Sequence, residues 1–317
     1  KVTGVALDPH TDPAMFDLLG LDQHMDSHIA DIRDAAAVAK VVQACQPEVI
    51  VHMAAQALVR ESYTDPVGTF MSNVMGTAHV LEAARGADQL GAVVVVTSDK
   101  CYENREWVWG YRENDAMGGH DPYSASKGCT ELVTASYRRS FGDALPVASA
   151  RAGNVIGGGD WSDDRLIPDI VRAIAAKKVV QIRNPGAIRP WQHVLEPLSG
   201  YLSLAEQVYN DAATYADAWN FGPSIGDTQP VSAVIERLSR NFDALEWQID
   251  GGEHPHGAHF LKLDISKAAA DLGYRPRLSL ETALDWTAQW YQAHFDGQDM
   301  LDVTRQQIDD FVKAAPT

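Results

Sequence analysis

Two short blocks hold groups able to move protons: Thr97-Ser98-Asp99-Lys100 and Tyr123-Ser124-Ala125-Ser126-Lys127. The first closes a run of five apolar residues, Ala92 to Val96, and such a run predicts a strand buried on both faces of a parallel sheet. Polar groups where a strand of that kind ends lie on the edge at which open α/β sheets bind ligands. The second block opens a helix, because Asp121 can cap it, Pro122 fits its first turn and Gly142 ends it. Tyr123 and Lys127 are four residues apart on that helix and share a face. Cys129, Leu132, Val133 and Ser136 fall on roughly the opposite face, which is expected to pack on the sheet. An ammonium fixed beside a phenol lowers the phenol pKa towards neutrality. A Tyr-x-x-x-Lys pair alone occurs by chance on many helices. The Ser98 hydroxyl and Asp99 carboxyl at a neighbouring strand end are what make it a proton-handling site.

The elements that position these groups alternate along 317 residues, enough chain for one large α/β domain or two interlocked ones. Residues 2–7 read as a strand ending at Asp8, where dinucleotide-binding folds place a carboxylate against the adenosine ribose; the competing reading is that Asp8 only starts the Asp-Pro loop. Asp34 can cap a helix over 35–44. Residues 49–53 read as another buried strand, in which His52 is a satisfied core histidine rather than a ligand, and small Ala54 and Ala55 then let a ligand approach the backbone. Asn73 stands at the start of a helix running to Ala84. A strand at 146–150 leads through Arg151-Ala152-Gly153-Asn154 to Gly157-Gly158-Gly159, a loop at the binding edge. A helix over 165–176 and short strands at 179–183 and 187–194 come next. Arg165, Arg183 and Arg189 converge by sequence on this region, and arginine suits a pyrophosphate because it presents several donors in a plane. A strand ends at Asn220-Phe221-Gly222, helices follow over 231–241 and 264–273, and Leu280–Phe295 is the last long amphipathic helix. Residues after Gln298 are expected to be peripheral.

Composition narrows the partners. The net charge of −17 argues against nonspecific binding to nucleic acid or anionic membranes, since a polyanion is repelled. Cys45, Cys101 and Cys129 show no metal-ligand spacing and no disulfide framework, which fits a reducing cytoplasm. No apolar stretch approaches the length of a bilayer span and no signal peptide opens the sequence. His254-Pro255-His256-Gly257-Ala258-His259 tempts a metal reading but has no carboxylate or cysteine partner at helical spacing, so no metal is expected.

The stretch Thr97-Ser98-Asp99-Lys100-Cys101-Tyr102-Glu103-Asn104-Arg105-Glu106-Trp107, continued by Gly118-Gly119-His120-Asp121-Pro122-Tyr123, closely resembles the CDP-glucose 4,6-dehydratases of the extended short-chain dehydrogenase/reductase superfamily. Arg151-Ala152-Gly153-Asn154-Val155-Ile156-Gly157-Gly158-Gly159-Asp160-Trp161 supports the likeness independently, and it runs along essentially the whole chain. The resemblance implies a Rossmann-type doubly wound parallel sheet with a smaller interleaved α/β substrate domain. The NAD-binding part would comprise 1–153 and about 191–223, and the nucleotide-sugar part about 154–190 and 224–317. A G-x-x-G-x-x-G fingerprint for the pyrophosphate is not found in these residues. The family carries it ahead of a strand like residues 2–7, so the first strand and glycine-rich loop are expected to be missing here.

For the cofactor, NAD, the resemblance assigns Asp31 and Ile32 to the adenine edge and Ala54, Ala55 and Gln56 to the phosphates and nicotinamide side. It adds Asn73, which steadies the helix and strand nearby, together with Thr97, Tyr123 and Lys127. For the substrate, CDP-glucose, it implies Asn154, Arg165, Leu166, Arg183, Arg189, His193 and His259. It also implies a homodimer or homotetramer built on a helix pair that includes the Tyr123 helix. The reaction implied is loss of water from a nucleotide-linked hexose: Tyr123 takes the 4-hydroxyl proton while C4 gives hydride to NAD, Lys127 supports the phenolate and Ser98 bonds O4. The resulting ketone acidifies the C5 proton, Asp99 protonates the departing C6 hydroxyl, and hydride returns to C6. Related enzymes for dTDP-sugars carry glutamate after the Asp as the C5 base. Here Lys100 stands there, with a role in C5 proton transfer, direct or through water. A superfamily epimerase and a non-catalytic nucleotide sensor on the same fold are the alternatives.

Overall fold

The computed structural model describes residues 1–224, 227–242, 245–252 and 260–316. Its strands are β1 (Thr3–Ala6), β2 (Asp26–Ile29), β3 (Val49–His52), β4 (Ala92–Val96), β5 (Val147–Ala152), β6 (Val155–Ile156), β7 (Val180–Ile182), β8 (Ile188–Pro190), β9 (Gln192–His193), β10 (Ala218–Phe221), β11 (Thr228–Pro230) and β12 (Trp247–Ile249). β4 forms where the apolar run predicts it and sits inside a parallel sheet of order β10-β5-β4-β3. Its side chains alternate between two layers. Val93 and Val95 pack with Leu81, Ala84, Leu145 and Val147 under the helices on one face. Ala92 and Val94 pack with Tyr201, Leu204, Ala205 and Val208 on the other. Burying one such valine contributes about 1.5–3 kcal/mol, so burial on both faces fixes the strand at the centre of the sheet. This is the doubly wound arrangement expected from the sequence, and β1 and β2 form a separate parallel pair.

A second core gathers Ile156, Trp161, Ile170, Val180, Trp191, Ile235, Leu284 and Trp290, residues from the stretches after Gly153. Here β6 pairs with β9 in parallel, β8 with β11 antiparallel and β7 with β12 in parallel. Among the described residues no helix is long and apolar enough to cross a membrane.

Four expectations need correction. β3 is not buried throughout: it is the last strand of its sheet, and Val49 and Val51 are exposed while Ile50 packs on the cluster around Leu81 and His52 is buried. The strand expected over 187–194 is two, since Trp191 turns the chain between β8, which pairs antiparallel, and β9, which pairs parallel. Asn73 does not begin its helix. It lies in a π-turn, Met71–Met75, between helical segments Pro66–Phe70 and Gly76–Ala84. The residues after Gln298 form helix Met300–Lys313, capped by Asp299 and docked through buried Met300 and Phe311; its last carbonyls accept from Arg277.

Candidate functional site

Because β3, β4, β5 and β10 are parallel, their carboxyl ends share one edge, which brings Ala54-Ala55-Gln56, Thr97-Ser98-Asp99-Lys100 and Gly153-Asn154 together. After β4 the chain makes a single 3-10 turn, Asp99–Cys101, capped by Ser98. The Ser98 hydroxyl accepts from the Lys100 amide at 3.2 Å and donates to Asp99 Oδ1 at 3.0 Å. Asp99 is 0% exposed, and its Oδ2 has no hydrogen-bond partner among the described residues. Gly153 backs it so closely that a Cβ there would stand 2.0 Å from Oδ2, so that position has no room for a side chain. Lys100 Nζ lies 3.7 Å from Asp99 Oδ1.

The helix Pro122–Phe141 starts as expected, with the Asp121 carboxylate accepting from the Ser124 amide at 2.9 Å. Its face towards the sheet is not the one expected. Val133 does pack on the cluster around Leu81, but Leu132 is 61% exposed and Ser136 is exposed too. The buried stripe is polar instead, running through Tyr123, Lys127, Thr130, Glu131 and Thr134. It can be buried because its groups find partners, Thr130 and Thr134 in the carbonyls of Asn73, Ser126 and Thr130 and the others at the sheet edge, which is the condition for burying polar groups at all. Lys127 Nζ donates to the Val96 carbonyl at 3.4 Å, Ser98 lies where it favours the charged form of the Tyr123 phenol, and Glu131 is held from three sides.

This burial reverses one expectation about charge. The Tyr123 phenol is pushed up to about 12 by burial, despite the favourable influences of Ser98 and of the Arg165 charge. Lys127 does not bring it to neutrality, because desolvation disfavours the charged form of both groups. Burial lowers Lys127 itself to about 8, with Glu131 opposing the shift.

On the flank towards β3, His52 is buried and bonds Thr77 Oγ1 at 3.0 Å, the satisfied core histidine that was expected; burial holds it down at about 3. Asn73 clamps the following loop. Its Oδ1 accepts from the Gln56 amide at 2.8 Å, and its Nδ2 donates to the Gln56 carbonyl at 2.9 Å and to Ser126 Oγ at 2.8 Å. Thr97 turns inward to Glu131. Asp31 is gripped by Arg33 at 2.5 Å, which holds its carboxyl below the usual range. Ile32 packs on Gly76, and its carbonyl meets His79 Nδ1 at 2.9 Å. Asp34 caps its helix as predicted. Asp8 follows β1 and is exposed.

On the other flank Asn154 takes a left-handed φ of 44° with its Nδ2 buried and unpartnered among the described residues. Leu166 opens helix Leu166–Ala175 and packs against the second core. The three arginines do not form one cluster. Arg165 reaches Asp160 at 3.4 Å and acts on Tyr123. Arg189 sits where the charges of Asp99 and Glu106 favour its guanidinium, although burial is the larger effect and lowers its pKa. Arg183 instead pairs with Asp164 at 3.2 Å and Asp169 at 3.7 Å, sharing Asp164 with Arg60. With Arg60, Arg172 and Lys178 it lines a separate cavity of about 390 Å³. His193 is 1% exposed, edge-on to the Trp286 ring, with Nε2 unpartnered among the described residues and its pKa lowered to about 4 by burial. His259 lies outside the described residues, as do His254 and His256. Among the described residues no group of three His, Cys, Asp or Glu side chains could hold a metal.

Three residues close to the site were not foreseen. Glu131 and Arg151 form a buried ion pair at 2.6 Å, and Tyr201 is buried near Asp99 and Tyr123, whose charges add to the upward push of burial on its phenol. Only Glu131 had a signal in the sequence, its place four residues beyond Lys127.

The family model for GDP-mannose 4,6 dehydratase matches residues 15–287. The chain is 49% identical to the CDP-glucose 4,6-dehydratase of Salmonella typhimurium, over 99% of this chain and 89% of that protein. It is 26% identical to a dTDP-glucose 4,6-dehydratase of Escherichia coli, over 83% and 78% of the two chains. Among solved structures, a dTDP-glucose 4,6-dehydratase from Streptomyces venezuelae with NAD bound matches at a TM-score of 0.73 and 24% identity, covering 89% of this chain and 84% of that one. UDP-glucuronic acid 4-epimerase from Bacillus cereus, in complex with UDP-glucuronic acid and NAD, matches at 0.77 and 19%, covering 92% and 90%. The two structures share the fold with this chain, while the match over nearly its whole length says more: the chain belongs to the nucleotide-sugar 4,6-dehydratase family, together with the CDP-glucose 4,6-dehydratase of Salmonella typhimurium.

Proposed function

We propose that the protein is an NAD-dependent CDP-glucose 4,6-dehydratase, converting CDP-D-glucose to CDP-4-keto-6-deoxy-D-glucose and water. The observation that carries this is the near full-length likeness to the Salmonella enzyme of that name. The residues at the sheet edge fit both ligands. Small Ala54 and Ala55 leave the backbone open on the cofactor side. On the sugar side the orphaned Asp99 Oδ2 and Asn154 Nδ2 are one acceptor and one donor for hydroxyls. NAD would be held by Lys127, Tyr123, Thr97 and the Asn73-clamped Gln56 loop, with Asp8, Asp31 and Ile32 towards its adenosine. The chemistry it supplies when bound is reversible hydride acceptance.

The chain's own groups move the protons. Tyr123 takes the proton of the 4-hydroxyl, with Ser98 and Arg165 as the two interactions that favour its phenolate. Ser98 also positions O4 as the carbonyl forms. The C4 ketone acidifies the C5 hydrogen, and Lys100 serves the transfer of that proton. Asp99 passes a proton to the C6 hydroxyl as it leaves, and C5 is reprotonated when C6 is reduced, so the two protons taken from O4 and C5 match the two given back. Arg165, Leu166, Arg183, Arg189, Asn154, His193 and His259 would hold the nucleotide and the sugar. Of these, Arg189, near Asp99, is best supported for the diphosphate end.

Residues 1–153 with about 191–223 would form the cofactor half, and the rest the substrate half. A cytoplasmic homodimer or homotetramer fits the exposed Val67, Phe70, Met71 and Met75 on one helical run and Leu132 on the other, and sedimentation would measure it. Mass spectrometry of CDP-glucose incubated with the protein and NAD tests the function. Loss of one water is expected. An isomer of unchanged mass would mean an epimerase, and no turnover of any nucleotide sugar would mean a sensor.

A further inference from the structure

Behind the site lies a pair of charges with no part in these proton transfers. Glu131 is 4% exposed. Thr97 Oγ1 donates to its Oε1 at 2.5 Å, while Ser149 Oγ and Arg151 donate to Oε2 at 2.7 and 2.6 Å. Arg151 also donates to the Tyr102 hydroxyl at 2.7 Å and the Glu113 carbonyl at 2.9 Å. Taking two such ions out of water costs several kcal/mol each, and well-packed apolar side chains often do as well for stability. Stability alone is therefore a poor reason for this pair.

Its placement gives a better one. Tyr123, Lys127 and Glu131 stand one turn apart on the same stripe of their helix. Two of them bond consecutive residues at the end of β4, Lys127 to the Val96 carbonyl and Glu131 to Thr97, and the next residue, Ser98, favours the charged form of Tyr123. The Lys127 bond at 3.4 Å is long. The hydroxyl-to-carboxylate bond at 2.5 Å is charge-assisted, hence strong and directional. We propose that Glu131 is a positioning residue: anchored by Arg151 and Ser149, it locks the helix to the strand end in the register that sets the Tyr123 phenol against Ser98 and Asp99. This deepens the dehydratase reading and rests on it for the chemistry being positioned.

The test uses Thr97→Val and Glu131→Gln in the full chain, with steady-state kinetics on CDP-glucose at saturating NAD and a crystal structure of Thr97→Val. Valine keeps the branched strand-forming shape and leaves the Glu131–Arg151 pair in place. A register slip on the ångström scale is expected to lower kcat about tenfold to a hundredfold, with KM for CDP-glucose within about twofold of the parent value. The structure is expected to show Tyr123 displaced from Ser98. A folded Thr97→Val protein with parental kcat, or a change confined to KM, overturns the proposal. If Glu131→Gln does not fold, Thr97→Val decides alone. If the parent protein does not dehydrate CDP-glucose, the functional reading fails by itself. The Ser98–Tyr123 distance in the variant then decides the positioning role, and an unchanged distance overturns it.

Discussion

The face shared by β4 and the Tyr123 helix and the arginine-bearing stretch from 160 to 193 are both rich in charge, and they hold it in opposite ways. In the first, Ser98, Asp99, Tyr123, Lys127 and Glu131 are all buried, and their partners are fixed parts of the fold. In the second, Arg165 is 41% exposed and Arg183 31%, each paired with an aspartate that a phosphate could replace. Chemistry needs groups held in one geometry, whereas binding a flexible diphosphate tolerates groups that exchange partners. Lesions in the first region should therefore strike turnover or the charge state of the fold, and lesions in the second should strike affinity.

Tyr123→Phe should break the contrast most visibly. Turnover is expected to fall on the order of a hundredfold to ten-thousandfold, the usual contribution of a positioned acid–base group, with melting temperature close to the parent's. Full activity in that variant removes Tyr123 from the mechanism.

Lys127→Met probes what burial of the same face costs. The ammonium is lowered from 10.5 to about 8 by burial, and at pH 7 both folded and unfolded chains keep it protonated. The folded state thus carries a penalty on the order of 3 kcal/mol. The variant should lose activity while its stability in urea rises. A loss of stability would mean that the bond to the Val96 carbonyl outweighs desolvation.

An acid series compares His52 of β3, on the flank of the first region, with His193 of the second. His52 and His193 are held near 3 and 4 in the fold by burial, but protonate near 6.5 when unfolded. Between those values the unfolded chain binds more protons, so stability falls as pH drops below 6.5. The expected slope is up to about 1.4 kcal/mol per pH unit for each, roughly 2 kcal/mol apiece by pH 5. Urea unfolding at pH 7 and pH 5 measures the sum, and His193→Phe should remove about half of it.

Arg183→Ala is expected to have the smallest effect. KM for CDP-glucose should rise about tenfold, the loss of one charge-assisted contact, with kcat unchanged. A fall in kcat instead would place Arg183 with the first region.

The two regions also differed in how far the sequence revealed them. The five-residue apolar run, the Asp121-Pro122 start and the Gly142 stop are local signals, and β4 and the Tyr123 helix formed where they pointed. The spacing of Tyr123 and Lys127 told which side chains share a face. It could not tell which face meets the sheet, since the buried stripe is polar and pattern reading looks for apolar ones. Leu132 was misplaced for that reason. Arg151 and Tyr201 depend on contacts distant in sequence, and no local pattern announces them. In the arginine stretch, Asp160, Asp164 and Asp169 chose the partners, which separated Arg183 from Arg165 and Arg189.

The central claim is that the groups around β4 and the Tyr123 helix carry out an internal oxidation, elimination and reduction on one sugar. CDP-glucose carrying deuterium at C4 tests it most directly, by NMR of the product formed with the protein and NAD. The account predicts a product lighter by one water with the deuterium at C6. Deuterium retained at C4 or lost to solvent would contradict it.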